Sequence, residues 1–262
     1  MAANLPPNAG PLKVWTERDG ALLRLRLARP KANIVDAAMI GALQMAIDAH
    51  RGNIALRAML LDAEGPHFSF GASVEEHLPA NCAAMLASLH ALLLSMIDWP
   101  LPILVAVKGQ CLGGGLELAL GGSLIFAASD AKLGQPEIQL GVFAPAASCL
   151  LPPRIGQAAA EDLLFSGRSV GADEALRLGL ANFVAADAEA AALAYFDQHL
   201  AGRSASSLAC AVVAARGGYL PEVRRRIAEV ERLYLGRLMQ TRDANEGLAA
   251  FIAKRPPKWE HQ

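Results

Sequence analysis

Leu101–Leu120, LPILVAVKGQCLGGGLELAL, is the stretch from which the fold can be read. Leu101–Lys108 is an apolar run of strand length and Leu116–Leu120 resumes as a helix, so Gly113-Gly114-Gly115 falls at their junction. Glycine lets a backbone approach its neighbour closely, and the first N–H groups of a helix lack internal acceptors and carry the positive end of its dipole. Such a junction can receive an anion or a developing oxyanion, or it can simply let strand and helix pack. The spacing is not G-x-G-x-x-G and no Lys-Ser or Lys-Thr follows Gly114, so the dinucleotide fingerprint and the P-loop are both excluded.

Working outward, strand and helix patterns alternate. Lys13–Glu17 and Leu22–Leu27 flank Arg18-Asp19-Gly20, and the alternation Leu23, Arg24, Leu25, Arg26, Leu27 predicts a hairpin strand with one wet face. Asp36 is placed to cap a helix reaching His50. Leu56–Leu61 reads as a strand, Ala80–Ile97 as a helix, and Ile103–Lys108 and Leu124–Ala128 as strands. From Ala188 onward strand signals fade, and 188–200, 206–215, 221–239 and 245–254 read as helices. The pattern is α/β to about residue 185, with no internal repeat, low-complexity segment or linker that would divide the chain.

Composition bounds the function. A 262-residue chain with 53% hydrophobic content can bury a substantial core, and a net charge of −1 carries no nucleic-acid signature. Met1–Pro11 has no basic start or apolar h-region, and the apolar segment Ala83–Ile97 is interrupted by Ser88, His90 and Ser95, so neither a leader nor a membrane span is expected. Cys82, Cys111, Cys149 and Cys210 are widely spaced, which suits a reducing cytoplasm. The six histidines are scattered, without H-E-x-x-H or C-x-x-C spacing, so no metal is expected; no G-x-S-x-G elbow occurs either. Glu75-Glu76-His77 reads as a polar helix entry, with lining of a pocket as the alternative, and Arg224-Arg225-Arg226 as a solvated helix face.

Two carboxylates remain. Glu117 lies just inside the first turn of the helix that follows the glycines, and Glu137 follows Pro136 in an expected loop. Two carboxylates in a partly dry cleft can divide proton donation and acceptance, although each alone also suits an ordinary role as helix-start stabiliser or surface charge.

Four motifs in order, Phe68–Ala72 (FSFGA), Gly109–Glu117 (GQCLGGGLE), Gly134–Gly141 (GQPEIQLG) and Glu246–Arg255 (EGLAAFIAKR), give residues 12–262 a resemblance to the crotonase, or enoyl-CoA hydratase/isomerase, superfamily. The resemblance implies a single crotonase-like domain: a spiral of ββα units over about 12–187 and a helical trimerisation region over about 188–262. It implies an acyl-CoA thioester as substrate, with no cofactor beyond the coenzyme A that the substrate carries. By position, Ala72 and Gly114 match the two N–H donors of the oxyanion hole. Glu117 matches the glutamate that activates water, and Glu137 the one that exchanges a proton with substrate carbon. Lys31 and Ala32 match the loop that contacts nucleotide and pantetheine, while Lys254, near Phe251, matches a lysine reaching coenzyme A phosphate. Phe70, Gly71, Ser73 and Gly113 fall in the substrate-binding motifs. A homo-oligomer, a trimer or a dimer of trimers, is implied as well.

Two departures bear on the substrate. Ser73 stands where Gly-Ala-Asp is usual, and Val142–Cys149 (VFAPAASC) replaces a glycine-rich segment, so Phe143 is expected to reshape the acyl pocket, and the backbone contact to the catalytic water is left open. Together, residues 68–77 and this segment resemble the branch that hydrates cyclohexa-1,5-diene-1-carbonyl-CoA in anaerobic aromatic degradation. Alternatives are a linear-chain 2-enoyl-CoA hydratase, an enoyl-CoA isomerase, and a catalytically silent acyl-CoA-binding or RNA-associated homologue. The joint presence of Glu117 and Glu137 favours hydration.

Overall fold

The computed structural model describes residues 10–262, so the reading of the first residues as lacking a leader falls, up to residue 9, outside the described part. The chain opens with β1 (Leu12–Glu17) and β2 (Leu22–Leu27), an antiparallel hairpin in register from Leu12↔Leu27 to Glu17↔Leu22. Asp36 accepts from Met39 N as the N-cap of α1 (Ala37–His50), as its position predicts. There follow β3 (Ala58–Ala63), α2 (Cys82–Ile97), β4 (Ile103–Val107), β5 (Gln110–Leu112), α3 (Gly114–Leu120), β6 (Leu124–Ala128) and β7 (Lys132–Gly134). The chain continues through α4 (Pro145–Ile155), α5 (Gln157–Ser166), β8 (Ser169–Gly171), α6 (Ala172–Leu178) and β9 (Phe183–Ala185). Beyond β9 lie α7 (Ala188–Tyr195), extended by a π turn to Leu200, then α8 (Ala205–Arg216), α9 (Tyr219–Gly236) and α10 (Arg242–Ile252).

Six strands form one sheet in the order β1-β2-β3-β4-β6-β9, parallel from β2 onward, and β5-β7-β8 form a second, smaller sheet. Strands β3 and β4 are buried along their whole length, which is why they read as continuous apolar runs rather than alternating ones. The main core lies between the sheet and α1, α2 and α4, and it takes in Val223, Ile227 and Tyr234 of α9 and Leu248 of α10. The C-terminal helices therefore pack directly against the body that carries the site.

Three sequence expectations are corrected. The strand expected at Leu56–Leu61 begins two residues later, with Leu56 buried in the approach to it. The strand through Val107 does not feed the glycine-rich helix directly; the chain first crosses to the second sheet as β5, whose three residues are too few to show a period. The expected wet face of β2 is largely covered, with Arg26 half-buried. Arg24 is only 2% exposed, because Glu189 of α7 reaches over the strand and, with Asp62 and Glu17, receives the guanidinium groups of Arg24 and Arg26.

Candidate active site

Glu117 projects from α3 into the core and is 3% exposed. Its Oε1 accepts a hydrogen bond of 2.8 Å from the Ala147 N–H, a free donor in the first turn of α4. The VFAPAASC segment forms this turn: Ala144 is extended, and Pro145 starts the helix where its missing N–H costs nothing. The alanines that replace glycines thus still offer backbone donors, here to the carboxylate itself.

Glu137 stands not in a loop but on a short 3₁₀ helix, Pro136–Leu140, that closes on the left-handed Gly141. Its carboxylate lies over Gly113. A Cβ at Gly113 would come within 2.4 Å of Glu137 Oε1, and the φ of +51° there is itself unfavourable for a side chain. The buried Gln135 adjoins the same carboxylate; with its amide oriented to pair donor with acceptor, its nitrogen donates to Oε2 at 3.0 Å.

The other two glycines do different work. A Cβ on Gly114 would meet the Ala72 nitrogen at 3.0 Å, so the Gly114 and Ala72 backbones are nearly in contact. Neither N–H donates to another backbone group among the described residues. Gly115 packs on Ser69, whose Cβ a methyl group would meet at 2.6 Å, so close strand–helix packing accounts for this one glycine of the three. Ser69 Oγ donates to Asn33 O and accepts from Gly71 N; the bridge Ser69↔Cys111 holds this segment against β5, and Val35↔Ala72 ties its other end to the chain just before α1.

These groups border a cavity of about 260 Å³. Of the residues singled out by sequence, Phe70, Gly71, Ala72, Gly113, Gly114, Glu117, Glu137, Phe143 and Phe251 line it. Lys31, Ala32, Ser73 and Lys254 do not: both lysines are exposed, Ala32 O accepts from Phe70 N, and Ser73 Oγ pairs with Glu75. His77 does line the cavity, its Nδ1 2.7 Å from Ser73 O, so the Glu75–His77 segment is more than a polar entry; Glu76 meanwhile caps α1 through Ala37 N. Sequence reasoning missed most of the apolar wall, Leu86 and Leu89 of α2 and Leu248 of α10, while Val142 lies in the segment it expected to shape the pocket. Helical spacing marks these as buried, but nothing in it separates a cavity wall from a filled core.

The electrostatics are those of carboxylates without a counter-ion. Burial pushes Glu137 up to about 8, with the neighbouring Glu117 charge adding to the shift. Burial also raises Glu117, opposed chiefly by the Ala147 N–H. With donors favouring the ionised form at Glu117, the pair's shared proton belongs on Glu137 at neutral pH. One carboxylate is then a base, the other an acid, and the Ala72 and Gly114 backbones border the same cavity.

An Enoyl-CoA hydratase/isomerase family model matches residues 17–262, and the chain belongs to that family. It is 64% identical over 254 residues, 97% of this chain and 98% of the relative, to the cyclohexa-1,5-dienecarbonyl-CoA hydratase of Thauera aromatica. The carnitinyl-CoA dehydratase of Proteus mirabilis is 32% identical, with 92% of this chain and 95% of the relative covered. Among solved structures, an enoyl-CoA hydratase/isomerase from Pseudoalteromonas atlantica superposes with a TM-score of 0.84 at 28% identity, covering 95% of this chain and 99% of that one. The α/β crotonase fold is thereby established, and with it an enzyme of the hydratase class acting on acyl-CoA thioesters. Among the described residues, no helix is long and apolar enough to cross a membrane.

Proposed function

We propose that this chain adds water 1,4 to cyclohexa-1,5-diene-1-carbonyl-CoA, giving 6-hydroxycyclohex-1-ene-1-carbonyl-CoA in anaerobic aromatic degradation. The observation that carries the reading is the 64% identity, over nearly the whole of both chains, to a hydratase named for that substrate. The site supports it chemically. A cavity of about 260 Å³ is smaller than the roughly 300–1,000 Å³ of drug-sized ligand pockets, so it suits a compact acyl ring with the coenzyme A moiety left outside.

In this mechanism the thioester oxygen lies between the Ala72 and Gly114 N–H groups, each such donor contributing roughly 2.7–4 kcal/mol to an oxyanionic transition state. Glu117 takes a proton from water as its oxygen bonds to the ring carbon β to the thioester. The resulting dienolate is protonated by Glu137 at the distal diene terminus, which leaves the remaining double bond conjugated with the carbonyl. Glu137 suits the role because it is protonated at neutral pH. Phe70 and Phe251, both lining the cavity and about half exposed, would flank the pantetheine. The exposed Lys31 and Lys254 reach phosphate only if their long side chains reorient, and Ala32 and Ser73 act through the backbone of the same loops. No cofactor beyond the substrate's own coenzyme A is called for. Four free cysteines suit a cytoplasmic enzyme, and exposed Val213 and Leu233 on the C-terminal helices suit assembly into a trimer or a dimer of trimers.

The test is a substrate panel. Purified protein is offered cyclohexa-1,5-diene-1-carbonyl-CoA, crotonyl-CoA and a 3-enoyl-CoA, and products are identified by mass and NMR. The expected result is preferential formation of the 6-hydroxy cyclic product; preferential hydration of crotonyl-CoA, or isomerisation alone, overturns the assignment.

A further inference from the structure

Behind the cavity wall, helices α2 and α9 bring together three polar side chains that the reaction as described does not use. His90 of α2 is 3% exposed, and its Nδ1 lies 2.5 Å from Oε2 of Glu231 on α9. A carboxylate can only accept, so Nδ1 carries the proton and Nε2 presents a lone pair when the ring is neutral. That Nε2 is buried and has no partner among the described residues. Tyr234, three residues beyond Glu231 and so on the same face of α9, is fully buried, and its hydroxyl is likewise without a partner.

Both orphaned atoms belong to the site's surroundings. Leu86 and Leu89, which flank His90 on α2, line the cavity, and Phe143 of its wall packs edge-on against the Tyr234 ring at 5.2 Å. The charges of Glu117 and Glu137 both act on Tyr234. Leaving two buried polar atoms unsatisfied costs roughly 1–3 kcal/mol each, so a native core is expected to satisfy them.

We propose that His90 Nε2 and Tyr234 Oη hold one buried water against Glu117, making His90, Tyr234 and Glu231 positioning residues for the catalytic carboxylate. The stoichiometry closes. The water donates one hydrogen to Nε2 and the other to the carboxylate, and it accepts the Tyr234 hydrogen, giving the three bonds typical of an internal water. Burial keeps the Tyr234 phenol protonated, as this requires. Glu231 fixes the tautomer that leaves Nε2 free to accept. Donation to the carboxylate favours its charged form, so the layer keeps Glu117 ionised as a base despite its burial. The other titratable groups near this layer are Cys82 and Cys149, thiols pushed up to about 11 by burial, with Glu137 across the cavity and Arg226 beside Cys149.

This inference rests on the reading of Glu117 as the base, and the experiment separates the two. Variants Tyr234→Phe, Glu231→Gln and His90→Gln are assayed on whichever enoyl-CoA thioester the wild type hydrates, so a wrong substrate shows in the wild type and a wrong positioning role in the variant-to-wild-type ratio. Tyr234→Phe removes only the hydroxyl. It is expected to lower kcat about tenfold with KM within about twofold, and to move the acidic limb of the pH–rate profile upward by about one unit. Glu231→Gln is expected to move that limb in the same direction, and the Tyr234→Phe/His90→Gln double variant to lose little more than either single change, because all act through one water. A Tyr234→Phe enzyme with kcat within twofold and an unmoved acidic limb overturns the proposal. If His90→Gln fails to fold, Tyr234→Phe and Glu231→Gln decide the matter.

Discussion

The chain encloses carboxylates in two places, fully at Asp62 and Glu117 and partly at Glu137, and treats them in opposite ways. Asp62, at the end of β3, is 2% exposed and clasped by Arg24 and Arg26, with Glu189 and Glu17 completing the network. Glu117 and Glu137, on the other side of the core, meet only backbone and amide donors, and burial raises both. A buried acid whose charge is matched by guanidinium groups is held in one protonation state and serves structure; one without a counter-ion is free to exchange a proton. Burial alone therefore does not identify the site. The missing cation does.

The comparison breaks most sharply if Glu117 and Glu137 prove dispensable. Glu117→Gln and Glu137→Gln are each expected to lower hydration by roughly 10²–10⁴-fold while thioester binding persists and the fold is not weakened, since the amide removes a buried charge at Glu117 and replaces an already neutral carboxyl at Glu137. Steady-state rates and a binding titration check this; near-normal turnover in either variant removes the two-carboxylate mechanism. Asp62→Asn is the mirror image. It leaves the Arg24 and Arg26 guanidinium groups with Glu17 and Glu189 as their remaining carboxylate partners and is expected to cost about 2 kcal/mol of unfolding free energy in a urea melt, with the folded enzyme's kcat little changed.

Acid and base should also separate the two regions. Glu137 is raised to about 8 in the folded protein, so the native state binds its proton more tightly than the unfolded chain does. Its contribution thus lowers stability as pH rises from the ordinary glutamate value toward 8, and Glu137→Gln abolishes that slope. Glu189 is held below its ordinary value in the folded state, with its arginine partners outweighing burial, so its contribution is present above the unfolded pKa and is lost as pH falls through the folded one. Activity should fall about tenfold per unit above pH 8, as Glu137 loses the proton it must donate. A pH–rate profile flat to pH 10 contradicts that role.

How much of this is legible in sequence depends on distance along the chain. The β1–β2 hairpin, the Asp36 cap and β6 follow from period and capping over a few residues, and they stand where those patterns put them. Gly113, Gly114 and Glu117 are neighbours, and the local motif that marks them carries its own geometry. Arg24 looked solvent-facing because nothing near it announces Asp62, 38 residues on, or Glu189 on α7. His90 and Glu231 are separated by 141 residues, and only the packing of α2 on α9 makes them a pair. Lys31 and Lys254 are marked by motif alone, and both side chains are exposed, because a solvated charge needs a ligand before its position is fixed.

The finest form of the comparison lies within the glycine triplet, where adjacent residues serve the two purposes. At Gly113 a methyl group would meet the tip of Glu137 at 2.4 Å, and a carboxylate can swing aside, so Gly113→Ala should displace the proton donor and lower kcat at least tenfold. At Gly115 the methyl meets Ser69 Cβ at 2.6 Å, in a buried spot with no flexible end to yield. Overpacking of that kind costs typically 1–3 kcal/mol, partly offset by the roughly 1 kcal/mol that alanine gains over glycine inside a helix. Gly115→Ala should thus lose about 1–2 kcal/mol in a denaturant melt while kcat stays within a few-fold of wild type. If Gly115→Ala instead spares stability and lowers kcat, the third glycine belongs to the chemistry, and close packing explains none of the three.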